Sequence, residues 1–114
     1  MSQKDNVARQ LPLTPAVFQV LVALADEERH GYALLKTVEE QTGGAIRLST
    51  GTLYGIINRL LQDDLLAERT TAEGKRLYKL TPFGAAVARA EASRLEALLE
   101  TARATRALRR PSTS

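Results

Sequence analysis

Residues Ser49–Leu60 read STGTLYGIINRL. Leu53, Ile56, Ile57 and Leu60 recur at helical spacing and define one apolar face. Gly51 and Gly55 fall on the opposite face, and each costs a helix about 1 kcal/mol relative to alanine. A short helix that gives up this stability on its polar side keeps that side open for a purpose. At 100° per residue the same side carries Asn58, Arg59 and Gln62, with Thr52 and Tyr54 on its flanks. Ser49 is the expected N-cap, and Thr50 lies in the first turn beside unpaired backbone N–H groups. The face is small at its N-terminal end and hydrogen-bonding further along.

Charge supports the same focus. Between Gln41 and Gln62 the only charged residues are Arg47 and Arg59, while acids gather at Asp26-Glu27-Glu28, Glu39-Glu40 and Asp63-Asp64. The 114-residue chain carries a net charge of +3, but residues 101–114 hold Arg103, Arg106, Arg109 and Arg110 with no acid. Bulk basicity therefore belongs to the C-terminal tail, and the acid-free window belongs to the helix.

Outward from that helix the elements follow in order. Thr14-Pro15 is a cap followed by proline at the first helical position, and it opens a helix with Val17, Phe18, Leu21, Leu24 and Ala25 on one side. A second helix starts near His30-Gly31-Tyr32, turns Leu34, Leu35 and Val38 inward, and ends at the C-cap pair Gly43-Gly44. Ala45–Leu48 is short and extended. Past Asp63-Asp64 the period changes: Leu65–Thr70 and Arg76–Leu80 read as two strands joined by a hairpin with Gly74 in its turn. Thr81-Pro82 repeats the cap-and-proline start, opening a helix that runs to about Leu108.

Three helices, a two-stranded hairpin and a further helix are the order of a winged helix-turn-helix. The expected fold class is mainly α with a small β-hairpin wing and a long C-terminal dimerisation helix. The expected organisation is a flexible N-terminal extension over residues 1–13, a DNA-binding domain over 14–81, a dimerisation helix over 82–109 and a disordered tail over 110–114.

A helix laid in the major groove of double-stranded DNA needs close approach at its N-terminal end and donors toward base edges and phosphates. Ser49, Thr50, Gly51, Thr52, Gly55, Asn58 and Arg59 meet that need. Lys75 and Arg76, at a glycine-bearing tip with Arg69 and Lys79 close by, suit a wing set against phosphates. Tyr32 combines packing with a hydroxyl able to reach a phosphate. Tyr54 is either packed on the wing or in contact with a phosphate. Lys36 and Arg47 flank the turn, as phosphate clamps or as ordinary surface charges. In the last helix Phe83, Val87, Leu95, Leu98, Leu99 and Ala102 form an apolar side longer than one small domain can cover, which is expected to dimerise.

Three segments together carry a family resemblance. His30-Gly31-Tyr32-Ala33-Leu34-Leu35, then Gly51-Thr52-Leu53-Tyr54, then Arg76-Leu77-Tyr78-Lys79-Leu80-Thr81-Pro82-Phe83-Gly84 resemble the PadR-like transcriptional regulators. The resemblance runs from about Thr14 to Glu100. It implies a winged-helix homodimer, usually a repressor, paired through its C-terminal helix. Some small members stack planar drugs between tryptophans at the dimer centre, and this chain has no tryptophan.

Other chemistry finds little footing. His30 is the single histidine, there are no cysteines, and no metal-ligand or nucleophile–base spacing appears. No catalytic residue, cofactor or metal is expected, and the chain is expected not to be an enzyme. His30 is expected to hydrogen-bond at a helix start. No apolar run reaches the roughly 18 residues of a membrane span, and MSQKDNVARQ has no signal-peptide character, so a cytoplasmic protein is expected. The expected function is a sequence-specific repressor acting as a homodimer on an inverted repeat. The alternative is a winged-helix module that binds a protein partner and has no operator. A small-molecule effector between the dimer helices is compatible with either.

Overall fold

The structure, a computed structural model, describes residues 2–111. Its elements are α1 (Gln3–Arg9), α2 (Pro15–Ala23), β1 (Arg29–His30), α3 (Gly31–Gln41), α4 (Thr50–Gln62), β2 (Leu66–Thr70), β3 (Arg76–Leu80) and α5 (Pro82–Ala104), closed by a 3₁₀ turn over Arg106–Leu108. The expected caps form. Thr14 Oγ1 accepts from the Val17 amide at 3.2 Å, Ser49 Oγ from Thr52 at 3.1 Å, and Thr81 Oγ1 from Gly84 at 2.9 Å. Each satisfies one amide that has no partner within its helix.

Leu21, Leu34, Val38, Leu53, Ile57, Leu65 and Val87 are fully enclosed and bring α2, α3, α4 and α5 onto one core. Helix α4 ends where Asp64 adopts a left-handed φ of 64°, which lets the Leu65 amide reach back to the Leu60 carbonyl at 2.8 Å. The first turn of α5 seats on this corner. Thr81 Oγ1 donates toward the carbonyls of Asp64 at 2.6 Å and Leu65 at 3.0 Å. A β-carbon at Gly84 would lie 2.9 Å from Leu80 Cδ1 and nearer still to the Leu65 carbonyl oxygen, so no larger residue fits there without moving backbone.

Several expectations need correction. Of the flexible extension expected over residues 1–13, the described residues 2–13 are held: α1 packs against α5, and Val7, Leu11 and Leu13 lean on the core. The sheet has three strands in the order β1-β3-β2, because Arg29 and His30 pair antiparallel with Tyr78 and Leu77. Two residues are too short a strand to show in sequence periodicity. The α-helical part of the last helix stops at Ala104 rather than near Leu108. Val87 is fully buried in the domain's own core and so is not free to dimerise, while Phe83 is half-buried against that core. Of the tail over 110–114, Arg110 and Pro111 lie outside regular structure, and 112–114 lie outside the described residues.

Beyond Val87 the character of α5 changes. Glu91 is buried, its carboxylate accepting from Arg94 Nε at 2.6 Å, Arg94 Nη2 at 2.7 Å and the Leu13 amide at 3.3 Å. It ties the N-terminal segment to α5. From there Leu95, Leu98 and Leu99 are 39%, 54% and 48% exposed. The radius of gyration is 16.3 Å, against roughly 13 Å for a compact chain of this length. The excess fits a helix end that projects from the domain.

Arg94 holds the Glu91 carboxyl below the usual carboxylate range, against the opposing effect of burial. A carboxylate depressed in the native state stabilises the fold above the unfolded value near 4.5, and that contribution is lost as pH falls through the native value. Urea stability is therefore expected to decline from pH 6 to pH 3, and Glu91→Gln is expected to flatten the decline while lowering stability at pH 6. High salt screens the exposed Glu28–Arg69 pair and so isolates the buried one in the same titration.

Candidate nucleic-acid interface

Helix α4 presents the face its sequence foretells. Leu53, Ile57 and Leu60 are buried, while Thr50, Gly51, Thr52, Gly55, Asn58, Arg59 and Gln62 are exposed. A β-carbon at Gly51 or Gly55 would meet nothing within 4 Å. Neither glycine accommodates a neighbour among the described residues, so openness of that side is the effect of their missing side chains. Ser49 caps the helix and also donates to Thr52 Oγ1 at 2.9 Å, which orients both hydroxyls at its N-terminal end.

The wing stands to one side. Antiparallel pairing of β2 and β3 runs from Leu66 opposite Leu80 to Thr70 opposite Arg76. At the turn Gly74 takes a φ of 84°, and the Thr71 amide bonds the Lys75 carbonyl at 2.7 Å. Lys75 and Arg76 are thereby exposed at the tip, with Glu73 beside them. His30 Nδ1 lies 3.2 Å from the Arg76 carbonyl oxygen, a cross-strand contact rather than the helix-start bond the sequence suggested. Arg69 is drawn away: its guanidinium bonds Glu28, from Nε at 3.1 Å and Nη2 at 2.5 Å. That pairing holds the Glu28 carboxyl below its ordinary range.

Between wing and helices lies an open cleft of about 640 Å³, lined by His30, Tyr32, Tyr54, Lys75, Arg76 and Tyr78 among others. Tyr54, for which the sequence allows either packing or contact, rests its ring against Gly31 and is 39% exposed. Tyr32 is 72% exposed, and Lys36 Nζ sits 5.9 Å from its ring centroid, within cation–π range. A second depression joins Lys36 to Leu35, Glu39, Arg47 and Leu48. There Arg47 pairs with Glu39 at 3.0 Å, an exposed ion pair of the kind that yields easily to another anion. The fold thus gathers Tyr32, Lys36, Tyr54, Lys75 and Arg76 around one side of α4, with Arg47 adjoining through Lys36. Asn58 and Arg59 lie further along the helix. Sequence reasoning missed Gly31, whose partner is 23 positions away, and the Glu28–Arg69 pair across 41.

Residues 20–90 match the family model described as "Transcriptional regulator PadR-like family". Among curated proteins, the chain is 33% identical over 66 residues to the transcriptional regulator YqjI of Escherichia coli, covering 58% of this chain and 32% of that one. The chain spans a third or less of the length of the curated relatives it matches. Among solved structures it is similar to a transcriptional regulator from Clostridium thermocellum, with a TM-score of 0.67 and 17% identity over 85% of this chain and 93% of that one. It is also similar to Bacillus subtilis PadR in complex with operator DNA, with a TM-score of 0.58 and 23% identity over 64% of this chain and 44% of that one. At these identities the two structures bear on fold alone. No helix among the described residues is long and apolar enough to cross a membrane.

Because nothing surrounds Gly55, an alanine there adds a methyl group to solvent and removes backbone freedom from the unfolded chain. Gly55→Ala is expected to raise stability by about 0.5–1 kcal/mol in urea denaturation. A loss of stability instead would mean that this face packs against something.

Proposed function

The chain belongs to the PadR-like family of transcriptional regulators, and from that premise we propose that it is a sequence-specific DNA-binding repressor, acting as a homodimer on an inverted-repeat operator in the cytoplasm. The family is one of regulators rather than enzymes. The observation that carries the proposal is the open glycine face of α4, free of acid and flanked by wing cations. Residues 14–81 form the DNA-binding unit. Gly51 and Gly55 let the helix backbone approach the floor of a major groove, where Asn58 and Arg59 supply donors for base edges. Ser49, Thr50 and Thr52 surround the N-terminal amides of α4, which favour a phosphate. Tyr32, Lys36, Arg47 and Tyr54 hold the backbone on one side, and Lys75 and Arg76 reach it from the wing.

Dimerisation in this reading uses the exposed end of α5, through Leu95, Leu98, Leu99 and Ala102. A leucine stripe projecting past a small domain is covered most simply by a second copy in two-fold symmetry. Two recognition helices related in this way read half-sites one helical turn apart, about 10 bp, or a multiple of that. Occupation of such a site blocks transcription. Glu73 in the wing turn, like Glu68 on β2, favours the alternative, a protein-binding module, since an acid there repels phosphate.

The direct test selects duplexes from a randomised library with the wild-type chain and titrates the winner by gel shift. Gly55→Glu, which places bulk and negative charge in the groove, is expected to abolish binding with the fold intact; unaltered affinity would falsify the recognition-helix assignment. In the same assay Lys75→Ala with Arg76→Ala is expected to flatten the slope of log K against log salt by about 0.9 for each phosphate that the wing no longer neutralises.

Leu95→Lys with Leu98→Lys is expected to give a monomer by light scattering at micromolar concentration and to lose most operator affinity. A wild type that is already monomeric, or a variant that stays dimeric, rules out this interface.

A further inference from the structure

Gly31 is the first residue of α3 and is buried. Its backbone does not require glycine, since the positive-φ glycines among the described residues are Gly43, Gly44 and Gly74. The requirement lies elsewhere. It lies in space. A β-carbon at position 31 would sit 2.8 Å from Cζ of Tyr54 and closer still to the hydroxyl oxygen. The gap left by one missing side chain is filled by the ring of a residue from α4.

We propose that Gly31 is a positioning residue for DNA binding: it seats the Tyr54 ring against α3 and so keeps that ring off the open face of α4. This rests on the function proposed above. The obstacle that a side chain at 31 would meet is the far end of a tyrosine, which can rotate away. At Gly84, by contrast, the obstacle is the Leu65 carbonyl, which cannot move without the backbone. Substitution at 31 is therefore absorbed by Tyr54 turning outward rather than by unfolding. The helical neighbours of Tyr54 three residues before and four after are Gly51 and Asn58, so a displaced ring covers surface that the missing side chain of Gly51 leaves bare. The cleft between α3 and the wing loses one wall in the same movement, because Tyr54 lines it with Tyr32, Lys75 and Arg76.

Two readouts test this. The first is free of DNA: the chain has three tyrosines, so ring-labelled tyrosine NMR resolves Tyr54 once Tyr54→Phe has assigned it. Gly31→Ala is expected to move the Tyr54 ring signals while the melting temperature stays within roughly 5 °C of the wild type. The second is a double-mutant cycle on the library-selected duplex. Gly31→Ala is expected to weaken binding by about tenfold or more in the wild-type background and to have no further effect on Tyr54→Ala, where no ring remains to displace. Should Gly31→Ala misfold, rescue by Tyr54→Ala supports the seat. Unmoved Tyr54 signals, misfolding that Tyr54→Ala does not rescue, or equal losses in both backgrounds each overturn the role of Gly31. A wild-type chain that enriches no duplex overturns the DNA-binding function itself, and the NMR result then still decides whether the seat exists.

Discussion

The corner where α4 ends and α5 begins sets the geometry of the whole molecule. Thr81 gives its hydroxyl to the carbonyls of Asp64 and Leu65 while capping α5 through the Gly84 amide. Gly84 then lies so close to the Leu65 carbonyl that only a bare α-carbon fits. One hydroxyl and one absent side chain thereby fix the angle between the helix that carries the open face and the helix that projects its leucines. In the two-fold pair proposed above, that angle would set the distance between the two open faces.

Missing side chains serve three separate ends here. At Gly51 and Gly55 the absence leaves surface open and costs helix stability without any packing return. Space for a ring is what it provides at Gly31, and space for a backbone carbonyl at Gly84. The cost is bearable because the opposite side of α4 is anchored by Leu53, Ile57 and Leu60, and burying large aliphatic side chains contributes roughly 1.5–3 kcal/mol each.

Charge is arranged with a comparable division of labour. Acids are absent from the window that holds α4, and two of those outside it are paired: Glu28 with Arg69, Glu39 with Arg47. These exposed pairs add little stability. They do sort the cations, drawing Arg69 onto the domain surface while Lys75 and Arg76 stay exposed at the wing tip. Glu91 is different in kind. Buried and bonded to Arg94 and Leu13, it secures the N-terminal segment at the point where α5 leaves its own core.

Local order was legible in the sequence because local order is governed by near neighbours. The caps at Thr14, Ser49 and Thr81, the apolar period of α4, the hairpin turn at Gly74 and the open glycine face all follow from residues within a few positions of one another. Tertiary structure decided what depends on contacts across many positions. Val7, Leu11 and Leu13 look like a polar segment's stray hydrophobes until α5 offers them a surface, so a segment that reads as flexible is docked over residues 2–13. Arg29 and His30 become a strand only because β3 has an unpaired edge. Val87 and Leu95 belong to one apolar stripe in sequence, yet the domain's core encloses the first and stops short of the second. Periodicity reports which side of a helix is apolar; only the packed neighbours determine where along that side the domain ends.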